Sequence, residues 1–103
     1  MIQPPPIINV VQESATSISI HTTSGRKSMY TGTAEMLGFT DKYVVINDGS
    51  YTKIYELNGG THAVIHTYGR NPLRVVGNTI LIEENGYYIT YDMEGNRIST
   101  VHK

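Results

Sequence analysis

Metal ligation, acid–base hydrolysis and phosphate binding are the chemistries whose residue types occur in this chain, and in each case the spacing argues against them. His62 and His66 read as sharing one face of one extended segment. Four residues at a rise of about 3.3 Å put them roughly 13 Å apart, too far for both to reach one ion at about 2.0–2.1 Å. Glu83 and Glu84 are adjacent, so in a strand their side chains point to opposite faces and cannot flank one scissile bond. Neither Asn47-Asp48-Gly49-Ser50 nor Glu83-Glu84-Asn85-Gly86 has the alternating oxygen ligands of a calcium loop. Ser24-Gly25-Arg26-Lys27-Ser28 lacks the upstream Gly of a phosphate loop and opens no helix, which leaves a basic hairpin tip. No nucleophile–base constellation can be assembled from spacing, so a protein without catalytic residues, metal or cofactor is expected.

The tyrosines are more informative. There are eight, with one Phe and no Trp. A Tyr ring packs as an apolar body while its hydroxyl needs a partner when buried. Tyr51, Tyr55, Tyr87 and Tyr91 fall at matched positions and are expected to pack, whereas Tyr68 and Tyr88 lie off that pattern. Tyr68-Gly69-Arg70-Asn71-Pro72 is the longest connection between clear repeats, and connections carry recognition more often than the elements they join. Tyr68, Arg70 and Tyr88 are therefore the candidate ligand-binding residues.

Size and charge narrow the classes further. The 103 residues make one domain, small enough to benefit from area buried against a partner. Eight Lys and Arg stand against nine Asp and Glu, and the cations are scattered rather than gathered into the stripe that phosphate backbones select. Nucleic acid is not an expected partner. Without Cys there is no disulfide framework or thiolate site. No apolar run nears the roughly 20 residues of a membrane helix, so a soluble, cytoplasmic protein without a membrane partner is expected.

What must position these residues is a set of strands. Residues 1–6 are expected to be an extended Pro-rich arm, since Pro4-Pro5-Pro6 fixes three φ angles and removes three donors. Residues 7–103 read as one all-β repeat domain. Moved 36 positions, Tyr43–His66 overlies Thr79–His102 without a gap, matching Tyr51 with Tyr87, Tyr55 with Tyr91, Gly59 with Gly95 and His66 with His102. The repeats span about 7–30, 34–67 and 71–103. The first is degenerate, and its first strand would fall on the prolines. Ala34–Gly38, Lys42–Asn47, Tyr51–Leu57 and Thr61–Thr67 are the strands predicted for the middle repeat, with Leu73–Gly77, Thr79–Glu84, Tyr87–Met93 and Arg97–Lys103 for the next. Connections this short permit only hairpins: Asn85-Gly86 suits a type I′ turn, and Asn58-Gly59-Gly60 and Glu94-Gly95-Asn96 supply longer Gly-bearing turns. Tyr43-Val44-Val45-Ile46 and Thr79-Ile80-Leu81-Ile82 are apolar at both parities, so these strands should be covered on two sides.

Asn71-Pro72-Leu73 through Ile82, Tyr87 through Asp92 and then Glu94-Gly95-Asn96 together resemble blades of six-bladed β-propellers. That resemblance implies antiparallel meanders stacked face to face, with the Tyr68–Pro72 connection lining an end face. Propellers use about four to eight blades, so a chain of three repeats, the first degenerate, cannot close a ring, and a homo-oligomer, a dimer first of all, is expected to complete it. A small self-closed barrel or trefoil-like body is the alternative that removes sheet edges without a partner. The expected function is non-enzymatic, an interaction or assembly module with a protein or small-ligand partner. Lectin-like binding at an end face and single-stranded nucleic-acid binding by Tyr stacking are the alternatives.

Overall fold

The computed structural model describes residues 6–32, 34–57, 60–67 and 70–103. Among them it is all-β, without helix, in three open antiparallel sheets that follow chain order. The first sheet holds β1 (Ile7–Ser14), β2 (Ser17–Thr22) and β3 (Gly25–Tyr30). The middle sheet holds β4 (Glu35–Phe39), β5 (Tyr43–Asn47), β6 (Tyr51–Glu56) and β7 (Thr61–His66). The third holds β8 (Asn71–Val76), β9 (Thr79–Glu84), β10 (Tyr87–Asp92) and β11 (Arg97–His102). Each is a meander with neighbouring strands paired in sequence order, and none closes into a barrel, which removes the self-closed alternative.

The 36-residue repeat is reproduced at the level of hydrogen-bond register. Val45 opposite Ile54 becomes Leu81 opposite Thr90, and Tyr51 opposite His66 becomes Tyr87 opposite His102. Even the irregularities recur: Leu37 and Leu73 are the extra residues at the β4–β5 and β8–β9 bulges, and His62 and Ile98 those at the β6–β7 and β10–β11 bulges. The turns agree with their residues. Asn85 and Gly86 take φ of 50° and 84°, as a type I′ turn requires. Asp92 Oδ1 accepts from the amides of Glu94 and Asn96 at 3.0 and 2.8 Å and holds the following turn. In the middle sheet Asn58 and Gly59 lie outside the described residues.

Most strand ends move by one residue, and one start by two. β8 begins at Asn71 rather than Leu73, with Pro72 opposite Ile82. A proline without N–H is tolerated there because β8 is an edge strand paired only with β9. The first sheet departs more. Carried over from the middle sheet, Val11 would oppose Thr16 as Asn47 opposes Thr52, but it opposes Ser19. A displacement of three residues exchanges the faces of a strand. Val10 therefore turns into the core and Val11 outward.

Stacking follows from the sequence pattern of the second strands. Val44 and Ile46 of β5 pack with Val10, Ile18 and Ile20 of the first sheet. Val45, with Ile54 and Ile65, packs against Ile80, Ile82 and Ile89 of the third. The middle sheet is thus buried on both faces, as alternate parities of Val44-Val45-Ile46 demand. At one edge the middle and third sheets come closest where Gly38 lies against Val75, a contact that leaves no room for a Cβ.

Candidate functional site

Two regions of the surface bring chemistry-bearing side chains together: a cleft between the ends of the middle and third sheets, and the outer face of the third sheet. The cleft has a volume of about 440 Å³. Thr40, Asp41 and Tyr43 line one wall, and Asn78, Asp92 and Glu94 the other. Thr40 Oγ1 accepts from the amides of Lys42 and Tyr43 at 3.1 and 3.0 Å and shapes the first wall, while the Asp92 turn fixes the second.

His62 stands beside this cleft, although the alternation of the sequence places it on the face of His66. The bulge is the reason: an extra residue in β7 breaks the period of two. Its ring stacks on Tyr43 with centroids 4.5 Å apart. Nδ1 lies 3.7 Å from Glu56 and Nε2 3.8 Å from Glu94, so the imidazole faces one carboxylate from each sheet. His66 instead pairs with Tyr51, as His102 does with Tyr87, at centroid distances of 5.2 and 5.0 Å. Among the described residues no group of three or more His, Cys, Asp or Glu side chains is placed to hold a metal ion.

The candidate residues named from sequence do not converge. Tyr68 lies outside the described residues. Arg70 is on the side of the third sheet that faces the middle one: Nη1 donates to Tyr91 Oη at 2.7 Å, and Nε lies 3.2 Å from Glu84. The Tyr91 ring that receives this bond is buried, with Arg97 6.0 Å above its centroid. Tyr88 belongs to the opposite, outer face. There Lys103 Nζ sits 5.5 Å from its ring centroid and 2.7 Å from Glu83. That ion pair lowers the Glu83 carboxyl below its ordinary range, chiefly through the bond from Lys103, and raises the Lys103 ammonium in return. Glu83 and Glu84 thus point apart, each with its own cation.

The outer face of the third sheet is the counterpart of the middle-sheet face that the third sheet covers. At its centre the middle sheet has a small neutral network, in which buried Thr52 donates to buried Thr67 at 3.4 Å and Thr67 donates to Asn47 at 3.2 Å. Thirty-six residues on, the same three places hold Tyr88, Lys103 and Glu83. Around them lie half-buried Leu81 and exposed Val76 and Val101, the last two 50% and 58% accessible. The first sheet's outer face is different. Ser19 Oγ, itself buried, lies 3.3 Å from His21 Nε2, and Ser28 Oγ donates to Glu13 at 3.3 Å, so polar and charged groups lie on it.

The repeat announced the outer face, but the cleft was not legible in sequence. Its walls come from three turns whose meeting depends on how the sheets stack. With this geometry in hand, the chain matches no family model, no curated protein and no solved structure.

Proposed function

We propose that this chain is a non-enzymatic assembly module that associates with itself through its third sheet. The observation that carries the reading is the strip formed by Val76, Leu81, Tyr88 and Val101, which in the middle sheet's repeat is covered and here faces solvent among the described residues. Apolar area left wet in a small domain favours association, and each additional Å² removed from water contributes about 25 cal/mol. The ion pair of Lys103 with Glu83 frames the strip and supplies polar groups of both signs at its border, the arrangement found around interface cores.

Light scattering at micromolar concentrations tests this. The expected mass is a multiple of 11.5 kDa. Tyr88→Ala combined with Val101→Lys should return the protein to single-chain mass with unchanged circular dichroism. A wild-type protein that runs as one chain throughout the micromolar range overturns the reading.

A second reading rests on the cleft. Tyr43 beside Asp41, Asn78 and Glu94 offers an aromatic edge with planar acceptors, the chemistry that binds small polyhydroxy ligands. Tyr43 and His62 resonances that stay unmoved across a panel of sugars would remove it.

A further inference from the structure

We infer that β11 is a self-recognition edge, and that a second copy of this chain pairs with it antiparallel, centred on Val101. This rests on the self-association reading above and names the contact. All six residues of β11 are exposed, and among the described residues the strand pairs on one side only, with β10. The amide of Lys103 donates to the Gly86 carbonyl, just before β10, at 2.9 Å. Because backbone groups alternate along an antiparallel strand, Val101 and Ser99 also bond inward, and the N–H and C=O of Thr100 and His102 point away from the sheet.

The bulge selects the register. Ile98 is the extra residue, so the edge is regular from Ser99 onward, and within it Val101 is the outer-face residue paired with Tyr88. A two-fold axis there puts Val101 beside its own copy on the outer face, against Tyr88, its partner in β10. Thr100 of each chain then exchanges bonds with His102 of the other, about four new backbone hydrogen bonds in all. Lys103 comes opposite Ser99. Moving the axis one residue, to Thr100, would instead set Lys103 against Arg97, two cations at one rung.

Of the remaining edges, β3, β7, β4 and β8 offer this less well. At β3 an axis at Arg26, at Lys27 or between them would set cation against cation, which closes that half of the edge to pairing. At β7 the equivalent of Val101 is Ile65, 4% accessible and covered by the third sheet. β4 and β8 lie where the sheets close on one another at Gly38 and Val75.

The chain has no cysteine, so single substitutions report cleanly. Across a pair of this kind opposing Cα atoms lie about 4.5 Å apart, inside the disulfide range. Val101→Cys should form an interchain disulfide under mild oxidation, whereas Ile98→Cys, at a site 55% accessible, should not. Thr100→Pro removes an outward donor while leaving the β10 ladder intact, and should lower the dimer fraction at least tenfold. Single-chain mass for the wild type would overturn both the assembly reading and this one. If the wild type is an oligomer but Val101→Cys cross-links no faster than Ile98→Cys, the edge alone is overturned. The same holds if the oligomer keeps its mass in folded Thr100→Pro.

Discussion

Gly38→Ala is the sharpest probe of how the sheets stack. A Cβ built at Gly38 would lie 2.7 Å from Val75 Cβ and 2.9 Å from Val75 Cγ2. Carbon atoms rest at about 3.5–4.0 Å, so the middle and third sheets would have to separate locally by about 1 Å. Overpacking of this kind costs roughly 1–3 kcal/mol. In a domain of this size each kcal/mol moves the midpoint by about 4–8 °C, so thermal unfolding followed by circular dichroism should show a fall of roughly 5–20 °C. The contact is pairwise, which makes the reasoning checkable in a second way. Val75→Gly removes both offending carbons, so the double variant should be more stable than the two single losses added together, by about 1 kcal/mol or more. An unchanged or raised midpoint in Gly38→Ala, or strict additivity in the double variant, would refute the close approach as the determinant of sheet spacing.

Asp48 links stability to acid. Its carboxylate accepts from the amides of Tyr51 and Ser50 at 2.8 and 3.0 Å and pairs with Lys53 at 3.3 Å. The Tyr51 bond is the foremost cause of its lowered pKa, against an opposing contribution from burial. A depressed folded pKa means stability that is present above the unfolded carboxyl value, near pH 4, and is lost as pH falls through the folded one. Asp48→Asn should therefore lose less stability than wild type on acidification below pH 4, measured by urea unfolding; equal slopes would contradict this. Tyr91→Phe deletes the acceptor of a bond from Arg70 and should cost about 1–2 kcal/mol by the same measurement, because the donor is charged. No loss would mean that Arg70 is held by Glu84 and not by Tyr91.

Much of the fold was legible because short-range chemistry decides it. Asn85-Gly86 could take only a turn with two positive φ values, and the uninterrupted apolar run of β5 demanded cover on both faces. The bulges were not legible. Nothing in Thr61–His66 distinguishes a regular strand from one with an extra residue at His62, because a bulge is chosen by twist and by the register of the neighbouring strand. That one residue decides whether His62 joins His66 or faces Tyr43 and two carboxylates. The displacement of β1 was hidden for a related reason. Ser14, whose hydroxyl accepts from the Thr16 amide at 3.2 Å and lies 2.9 Å from the Ser17 hydroxyl, builds a tighter turn than the Asp48 loop at the corresponding place. Register passes from that turn into the whole strand. Arg70 and Tyr88 were separated because Arg70, just before β8, turns to the covered face while Tyr88 takes the outer one, and only the paired structure says which face is covered.

The substitutions between the repeats also bear on how copies of this chain can meet. A ring completed by stacking requires the third sheet to receive another sheet as the middle sheet receives the third. At the place of closest approach the middle sheet has Gly38, against which Val75 rests, and the third sheet has Arg74. Where Thr52, Thr67 and Asn47 lie buried or half-buried and neutral, the third sheet carries Tyr88, Lys103 and Glu83. A sheet stacked there at the same spacing would have to displace the Arg74 side chain and strip water from an ion pair, a penalty of several kcal/mol per ion unless the geometry compensates. Lateral pairing at β11 asks for neither. It leaves Arg74 in solvent, keeps Lys103 with Glu83, and satisfies backbone groups that stacking would leave unpaired. The same residues that oppose continuing the stack are thus compatible with joining two stacks side by side.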